Sequence, residues 1–190
     1  MTPPVYKGLK LLHNLESIEL IKKIIKEFNP QLIMEIGTAF GGLTLVFHES
    51  SPNAEIHTYD PFRKPTDISL FSSNVHFHND DVFNSNLYDI CKSQKRKFLF
   101  CDGINKKKEM ITFGSLLNSG DMLGVHDYPT RLWKDWIKGC DTKKLKPIID
   151  PMIEIFLEEF NYIKENKEFE KRQKKIHDNN DFSDRYWIKK

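Results

Sequence analysis

Acidic side chains recur in this sequence where short apolar runs end. A carboxylate in such a place can attract a cation or accept hydrogen bonds from hydroxyl and amino groups. The first, Glu35, lies in the stretch "LIMEIGTAFGG", directly before a glycine-rich turn. The later ones are Asp60, Asp80, Asp81, Asp102 and Asp127. A single Asp after a strand most often caps a helix or closes a turn. Because five successive runs carry acids and a glycine turn follows the first, the pattern favours a shared binding site.

The elements that would position these acids alternate between strand and helix. Apolar runs of buried-strand length cover residues 31–37, 54–60, 74–81, 96–103 and 120–128. Helical patterns cover residues 15–28, 41–50, about 82–93 and 105–118. Continuous apolar strands joined by helical crossovers predict an α/β, Rossmann-like three-layer sandwich with a mostly parallel sheet and helices on both faces. The carboxyl ends of parallel strands meet at one edge, so we expect the acids to gather there.

The last third of the chain is predicted to complete the sheet. Asp150 and Pro151 begin a predicted helix over 150–160, since Asp is a common N-cap and Pro suits the first helical position. The stretches "NYIKE" and "RYWIKK" predict two antiparallel closing strands, which makes seven strands in all. The length of 190 residues fits one domain. We divide it into an N-terminal helical segment 1–29, a cofactor-binding core 30–128 and a C-terminal part 129–190 with the last helix and strands.

Composition excludes several functional classes. A net charge of +2 disfavours a nucleic-acid partner or an anionic membrane, and the basic runs 106–108 and 170–175 are interpreted as solvated helix faces. The three cysteines show no metal-ligand spacing, which predicts a reduced environment. No apolar run approaches the roughly 18 residues of a membrane span, and the N-terminus does not resemble a signal peptide. We therefore expect a cytoplasmic protein without a membrane segment. A homo-oligomer is left open.

The glycine turn does not match the phosphate-binding motifs. Residues 37–42 read "GTAFGG", which lacks the second glycine of GxGxxG, and no lysine follows as in a Walker A loop. A phosphate dianion beside Glu35 would be repelled in a poorly solvated cleft. S-adenosylmethionine fits better, because it carries a sulfonium and an ammonium group and no phosphate.

Each part of S-adenosylmethionine has a matching group in the sequence. Glycine permits close backbone approach to the methionine part, and Glu35 suits its ammonium group. Asp60 suits the two ribose hydroxyls, and Asp80 or Asp81 suits the adenine amino group. The predicted cofactor-binding residues are Glu35, Gly37, Thr38, Gly41, Asp60, Asp80, Asp81 and Asp102.

These residues carry a resemblance to a known family. "EIGTAFGG" resembles the E/DxGxxxG motif of class I S-adenosylmethionine-dependent methyltransferases, "HTYD" its acidic ribose position and "HFHNDDVF" its adenine-side loop. "FLFCDG" and "GDMLGVHDY" are similar to the later strands of small-molecule O-methyltransferases, among them the macrocin and rhamnosyl O-methyltransferase and cephalosporin-hydroxylase-like group. The resemblance spans residues 30–130. It implies methyl transfer to a hydroxyl of a small molecule or sugar.

The resemblance also implies a catalytic centre at the ends of strands four and five. In that group a divalent metal, usually Mg²⁺, binds acids there and lowers the pKa of the acceptor hydroxyl. The implied metal ligands are Asp102 and Asp127, and the implied catalytic residues are His126, Asp127 and Asp102. Where the group often reads DGxH, this chain has Asn105 in place of the histidine. The role of general base then moves to His126 or is absent.

Other interpretations stay open at this point. One is a non-catalytic domain that binds S-adenosylmethionine, and another is an RNA or DNA methyltransferase. The [DNS]PP[YF] motif of DNA amino-methyltransferases is replaced by "CDGI" after strand four, which disfavours a DNA amine as acceptor. We expect residues 1–14, 61–73 and 129–147 to form the acceptor wall, with Trp133 and Trp136 in it or in the core. His76 and His78 are expected to occupy ordinary positions on the third strand.

Overall fold

The computed structural model describes residues 4–13, 15–128, 151–163 and 183–190. The strands are β1 (Val5–Tyr6), β2 (Leu9–Lys10), β3 (Leu32–Ile36), β4 (Glu55–Tyr59), β5 (Val75–His78), β6 (Lys97–Cys101), β7 (Met122–Tyr128), β8 (Phe160–Tyr162) and β9 (Ser183–Lys189). The α-helices are α1 (Leu15–Phe28), α2 (Gly42–Ser50), α3 (Leu87–Cys91), α4 (Lys106–Gly114) and α5 (Pro151–Leu157).

Seven of these strands form a mostly parallel sheet in the order β5-β4-β3-β6-β7-β9-β8. Strand β4 pairs in parallel with β3 and β5, and β9 pairs antiparallel with β7 and β8. The strands β1 and β2 form a separate two-stranded antiparallel sheet. The predicted Rossmann-like α/β fold and its two closing antiparallel strands are therefore confirmed.

The sequence explains why these segments become strands and helices. Every residue of β3 and β6 is buried, which is the pattern of strands covered on both faces. In α1, Ile18, Ile21 and Ile25 recur on one buried face while lysine and glutamate alternate between them. This helix has the predicted bounds and ends at Phe28, because the next residue, Asn29, adopts a left-handed backbone conformation before a proline.

The chain divides into two compact units, Met1–Leu99 and Phe100–Lys190. In the first unit, β3, β4 and β5 run in parallel, so the residues after these strands lie at the same edge of the sheet. In the second unit, β9 pairs antiparallel with β7, with Val125 opposite Arg185. No helix among the described residues is long and apolar enough to span a membrane.

Several predicted boundaries were wrong. The N-terminal segment 1–29 is not purely helical, because β1 and β2 form a hairpin whose turn contains Lys7 and Gly8 at positive φ. The segment 82–93 holds a short 3₁₀ turn and only a five-residue α3, since Asp81 caps that turn. The last two helices are shorter than predicted, spanning 106–114 and 151–157.

The helix predicted over 150–160 stops early because Phe160 pairs with Lys189 as part of β8. Predictions for Trp133, Trp136 and the basic run 170–175 concern residues outside the described ranges.

Candidate functional site

A network of hydroxyl groups surrounds Glu35 on β3 in the first unit. Thr44 on α2 and Thr58 on β4 both donate hydrogen bonds to Glu35 Oε2, each at 2.5 Å. Thr38 Oγ1 lies 2.5 Å from Thr58 Oγ1. Because the single hydroxyl proton of Thr58 points to Glu35, Thr38 must donate to Thr58. Glu35 has 0% exposure, so its carboxyl group lies beneath the glycine turn rather than at the surface.

The turn between β3 and α2 holds three residues at positive φ: Gly37 at 102°, Ala39 at 48° and Gly41 at 80°. A left-handed backbone conformation is uncommon for alanine and costs free energy. In this conformation the Ala39 amide donates a hydrogen bond to Asp60 Oδ2 at 2.9 Å. A Cβ on Gly41 would lie 2.7 Å from Pro65 Cγ. Asp60 and Pro65 therefore hold this turn from the connection that follows β4.

Asp60 also organises its own connection. Its Oδ1 accepts the amides of Phe62 at 2.9 Å and Arg63 at 3.0 Å. Since Ala39 donates to the other oxygen, three of the four acceptor positions of this carboxylate are used by backbone amides within the described residues. One position is left for a ligand hydroxyl.

Two cations flank the aromatic side chain of this turn. Lys10 Nζ lies 5.1 Å and Arg63 Cζ 5.2 Å from the ring centroid of Phe40. Both distances suit a cation–π contact. The neighbourhood of the turn therefore contains two acidic residues, Glu35 and Asp60, and two cationic residues, Lys10 and Arg63.

The acids after β5 are exposed. Asp81 accepts the amide of Phe83 at 3.1 Å and so caps the short turn 82–84, while Asp80 is exposed at the end of the strand. Both lie at the edge where Asp60 follows the neighbouring parallel strand. The structure thus brings Glu35, Thr38, Asp60 and the turn together, and leaves Asp80 and Asp81 on the surface beyond them.

In the second unit, Asp102 directly follows β6 and forms an ion pair with Lys106. Its Oδ1 lies 3.2 Å from Lys106 Nζ, and both side chains are mostly buried. Nearby, Glu109 accepts the amides of Gly103 and Asn105. Burial, reinforced by the charge of Asp102, raises the pKa of Glu109 to about 7 against the opposing effect of Lys106 and the amides.

Asn105, the residue in the place of the expected histidine, has a structural function. Its Oδ1 accepts the amide of Lys108 at 3.2 Å and caps α4. Asn is one of the preferred residues at this position.

His126 on β7 is paired with a residue that the sequence did not indicate. Its Nδ1 lies 2.5 Å from Oδ1 of Asp184 on β9, and Asp184 is 1% exposed. The phenol of the fully buried Tyr186 lies nearby, and its pKa is raised by burial and by the charges of Asp184 and Asp102. Those charges act on one phenol, so Asp102 belongs to the same neighbourhood as the His126–Asp184 pair.

A His–Asp pair is suited to proton transfer, because the carboxylate fixes the tautomer of the ring. Asp184 lies 58 residues from its partner, and only the pairing of β7 with β9 reveals it. The side chain of Asp127 lies outside the described part of the chain.

Comparisons with known proteins identify the fold. No family model and no curated protein matches the chain. Among solved structures, a CmcI structure with Mg and SAM matches with a TM-score of 0.55 at 18% identity, covering 67% of this chain and 58% of that one. An apo-CmcI structure matches with a TM-score of 0.53 at 16% identity, over 66% and 57%. The chain therefore spans less than two thirds of the length of these two proteins.

Other matches cover nearly the whole chain. A putative caffeoyl-CoA O-methyltransferase from Staphylococcus aureus matches with a TM-score of 0.54 at 14% identity, over 96% of this chain and 86% of that one. A fibrillarin/Nop5p complex matches with a TM-score of 0.59 at 10% identity, over 98% and 87%. At these identities the likeness concerns the fold, and it confirms the resemblance to class I methyltransferases at that level.

Proposed function

We propose that the chain is an S-adenosylmethionine-dependent methyltransferase that transfers a methyl group to a hydroxyl of a small molecule or sugar. The observation that carries the proposal is the buried Glu35 carboxylate beneath a turn held in left-handed conformations at Gly37, Ala39 and Gly41. A methyltransferase-like fold supports it.

The residues around the turn fit S-adenosylmethionine. A buried carboxylate favours a ligand with sulfonium and ammonium charges and disfavours a phosphate. The remaining acceptor position of Asp60 can take a ribose hydroxyl. The exposed Asp80 and Asp81 can accept the adenine amino group. These assignments, and those of Gly37, Thr38, Gly41 and Asp102, are part of the proposal.

S-adenosylmethionine supplies a methyl group on a positively charged sulfur, and its transfer to an alcohol oxygen yields S-adenosylhomocysteine, the ether and a proton. His126 is the proposed acceptor of that proton. Because Asp184 accepts a hydrogen bond from Nδ1, the neutral ring carries its proton there and has its lone pair on Nε2. After proton transfer, the Asp184 carboxylate stabilises the imidazolium.

The Asp102 carboxylate is paired with the Lys106 ammonium, and the side chain of Asp127, the other implied ligand, lies outside the described residues. No step of the proposed reaction therefore runs through a metal. The roles of Asp102 and Asp127 as metal ligands or catalytic residues stay predictions.

Turnover tests the proposal. The full chain is incubated with methyl-labelled S-adenosylmethionine and a panel of sugars and phenols, and the label in each acceptor is measured. We expect Asp184→Asn to lower the rate on a methylated acceptor by about 100-fold or more, the usual range for general-base catalysis, with unchanged cofactor affinity. Asp121→Asn is the matched control, because Asp121 is also buried and caps a turn, where its Oδ2 accepts the amide of Asn118.

Each alternative gives a different result. Cofactor binding without transfer to any acceptor would indicate a non-catalytic binding domain. Binding of RNA with a steep dependence on salt would favour a nucleic-acid methyltransferase. The positive charges of Lys10 and Arg63 near the turn favour a phosphorylated ligand such as NAD. NAD is therefore included as a competitor.

A further inference from the structure

Three histidines and a glutamate cluster on one face of the β4–β5 pair in the first unit. Alternate residues of a strand point to the same face, which places Glu55 and His57 of β4 on one face. His76 of β5 is paired with His57 in the register of the two strands. The rings of His57 and His76 stack with centroids 4.6 Å apart, and those of His57 and His78 with centroids 5.2 Å apart.

Three ligand atoms converge in this cluster. Glu55 Oε1 lies 3.0 Å from His57 Nε2 and 3.8 Å from His76 Nε2, and all three atoms lie within 4.8 Å of one another. A tetrahedral zinc site has metal–ligand bonds of about 2.0–2.2 Å, which puts neighbouring ligand atoms about 3.4 Å apart. The two distances from Glu55 Oε1 bracket this value, so the carboxylate oxygen lies at a suitable distance from each imidazole nitrogen.

We propose that Glu55, His57 and His76 form a binding site for one divalent transition-metal ion of the Zn²⁺ type. Two imidazoles and a carboxylate are ligands that suit zinc, whereas Mg²⁺ prefers oxygen ligands alone. The site is accessible, because the side chains of His76 and Glu55 are 43% and 35% exposed. A water molecule from this open side can supply the fourth ligand.

His78 and Lys95 hold the ligands in place. His57 Nδ1 lies 3.0 Å from His78 Nε2, so a metal ion on Nε2 of His57 requires Nδ1 to carry the proton and to donate it to His78. This is the arrangement by which outer residues orient metal-bound histidines. The ammonium of Lys95 bonds the other oxygen of Glu55, Oε2, which leaves Oε1 directed at the two Nε2 atoms.

The proposed metal site is distinct from the proposed cofactor site and does not depend on it. Glu55 begins β4 and Asp60 follows the end of that strand. At about 3.3 Å per residue they lie roughly 16 Å apart. A metal ion here would link β5, an edge strand of the sheet, to β4, which assigns it a structural function.

The test uses the full chain without a histidine tag, stripped of metal with a chelator. Calorimetric titration with Zn²⁺ is expected to give one ion per chain, and Zn²⁺ is expected to raise the melting temperature. We expect His76→Gln to weaken the affinity by more than about 100-fold, and His78→Gln by about 10- to 100-fold. Both variants are checked for native circular dichroism.

His48→Gln is the matched control, because His48 lies on α2 in the same unit and outside the cluster, with its Nε2 3.2 Å from Ser72 Oγ. It should bind Zn²⁺ like the native chain. Co²⁺ in place of Zn²⁺ should give the intense visible bands of a four-coordinate ion. Binding that is lost equally in His48→Gln and His76→Gln, or the absence of binding below millimolar Zn²⁺, would overturn the proposal.

Discussion

The hydroxyl network around Glu35 gives a graded prediction for three threonine-to-valine substitutions. Thr58 and Thr44 each donate one hydrogen bond to the buried carboxylate, while Thr38 donates only to the hydroxyl of Thr58. A hydrogen bond to a charged group contributes about 1.5–3 kcal/mol and one between neutral groups about 1 kcal/mol. Valine has nearly the same volume, so the lost hydrogen bonds dominate the change.

The expected losses of unfolding free energy differ accordingly. Thr58→Val should cost about 3 kcal/mol, because it removes a bond to Glu35 and leaves the Thr38 donor without its acceptor. Thr44→Val should cost about 2 kcal/mol and Thr38→Val about 1 kcal/mol. For a chain of this size, 3 kcal/mol corresponds to a urea midpoint lower by about 1 M. Urea unfolding followed by circular dichroism measures these values.

A double-mutant cycle tests whether the carboxylate is the cause. In the Glu35→Gln background, Thr58→Val should cost at least about 1 kcal/mol less than in the native chain, because the acceptor is no longer charged. Equal costs for the three valine variants, or a coupling below about 0.5 kcal/mol, would refute the proposed donor order and the role of Glu35 as its end point.

Three further predictions concern other parts of the molecule. Gly41→Ala should cost about 2–5 kcal/mol in urea unfolding, from left-handed strain together with the contact with Pro65. Gly8→Ala, at φ +91° with no neighbour within 4 Å, should cost only about 1–2 kcal/mol, and equal costs would argue against the Pro65 contact. The pKa of Glu109 is raised from 4.5 to about 7 in the folded state. The stabilisation of the folded state by protonated Glu109 is therefore complete below pH 4.5. As the pH rises through 7, about 3 kcal/mol of unfolding free energy is lost. Unfolding at pH 5 and pH 8 should show most of this loss in the native chain but not in Glu109→Gln, and parallel pH profiles would contradict it. In Asp184→Asn, two-dimensional NMR should show a changed imidazole tautomer or exchange at its partner histidine, and an unchanged spectrum would argue against that hydrogen bond.

Local patterns were sufficient to predict the main elements. Helix α1 has the predicted bounds because its apolar residues repeat at helical spacing up to the Asn29–Pro30 stop. The buried strands β3 and β6 were recognisable because they are continuous apolar runs. The helix ends were less accurate, since the end of α5 depends on the pairing of Phe160 with β9, far away in the sequence.

The candidate site was only partly predictable for the same reason. Glu35, Asp60 and the turn were visible as a strand end followed by glycines. Asp184 was not visible, because no spacing relates residues 58 positions apart. The sequence does contain a pattern for the histidine cluster, because "EIH" and "VHFH" carry polar residues at alternate positions of neighbouring strands. For His76 and His78 this pattern was interpreted as ordinary strand positions. Only the register of β4 and β5 shows that these residues face one another.

We propose that the turn above Glu35 binds a cationic nucleoside without phosphate. Isothermal titration of the full chain with S-adenosylmethionine, and separately with NAD, tests it most directly. We expect saturable binding of S-adenosylmethionine, weakened at least about tenfold, or about 1.4 kcal/mol, in Glu35→Gln, and no binding of NAD. Tight binding of NAD with none of S-adenosylmethionine would contradict it.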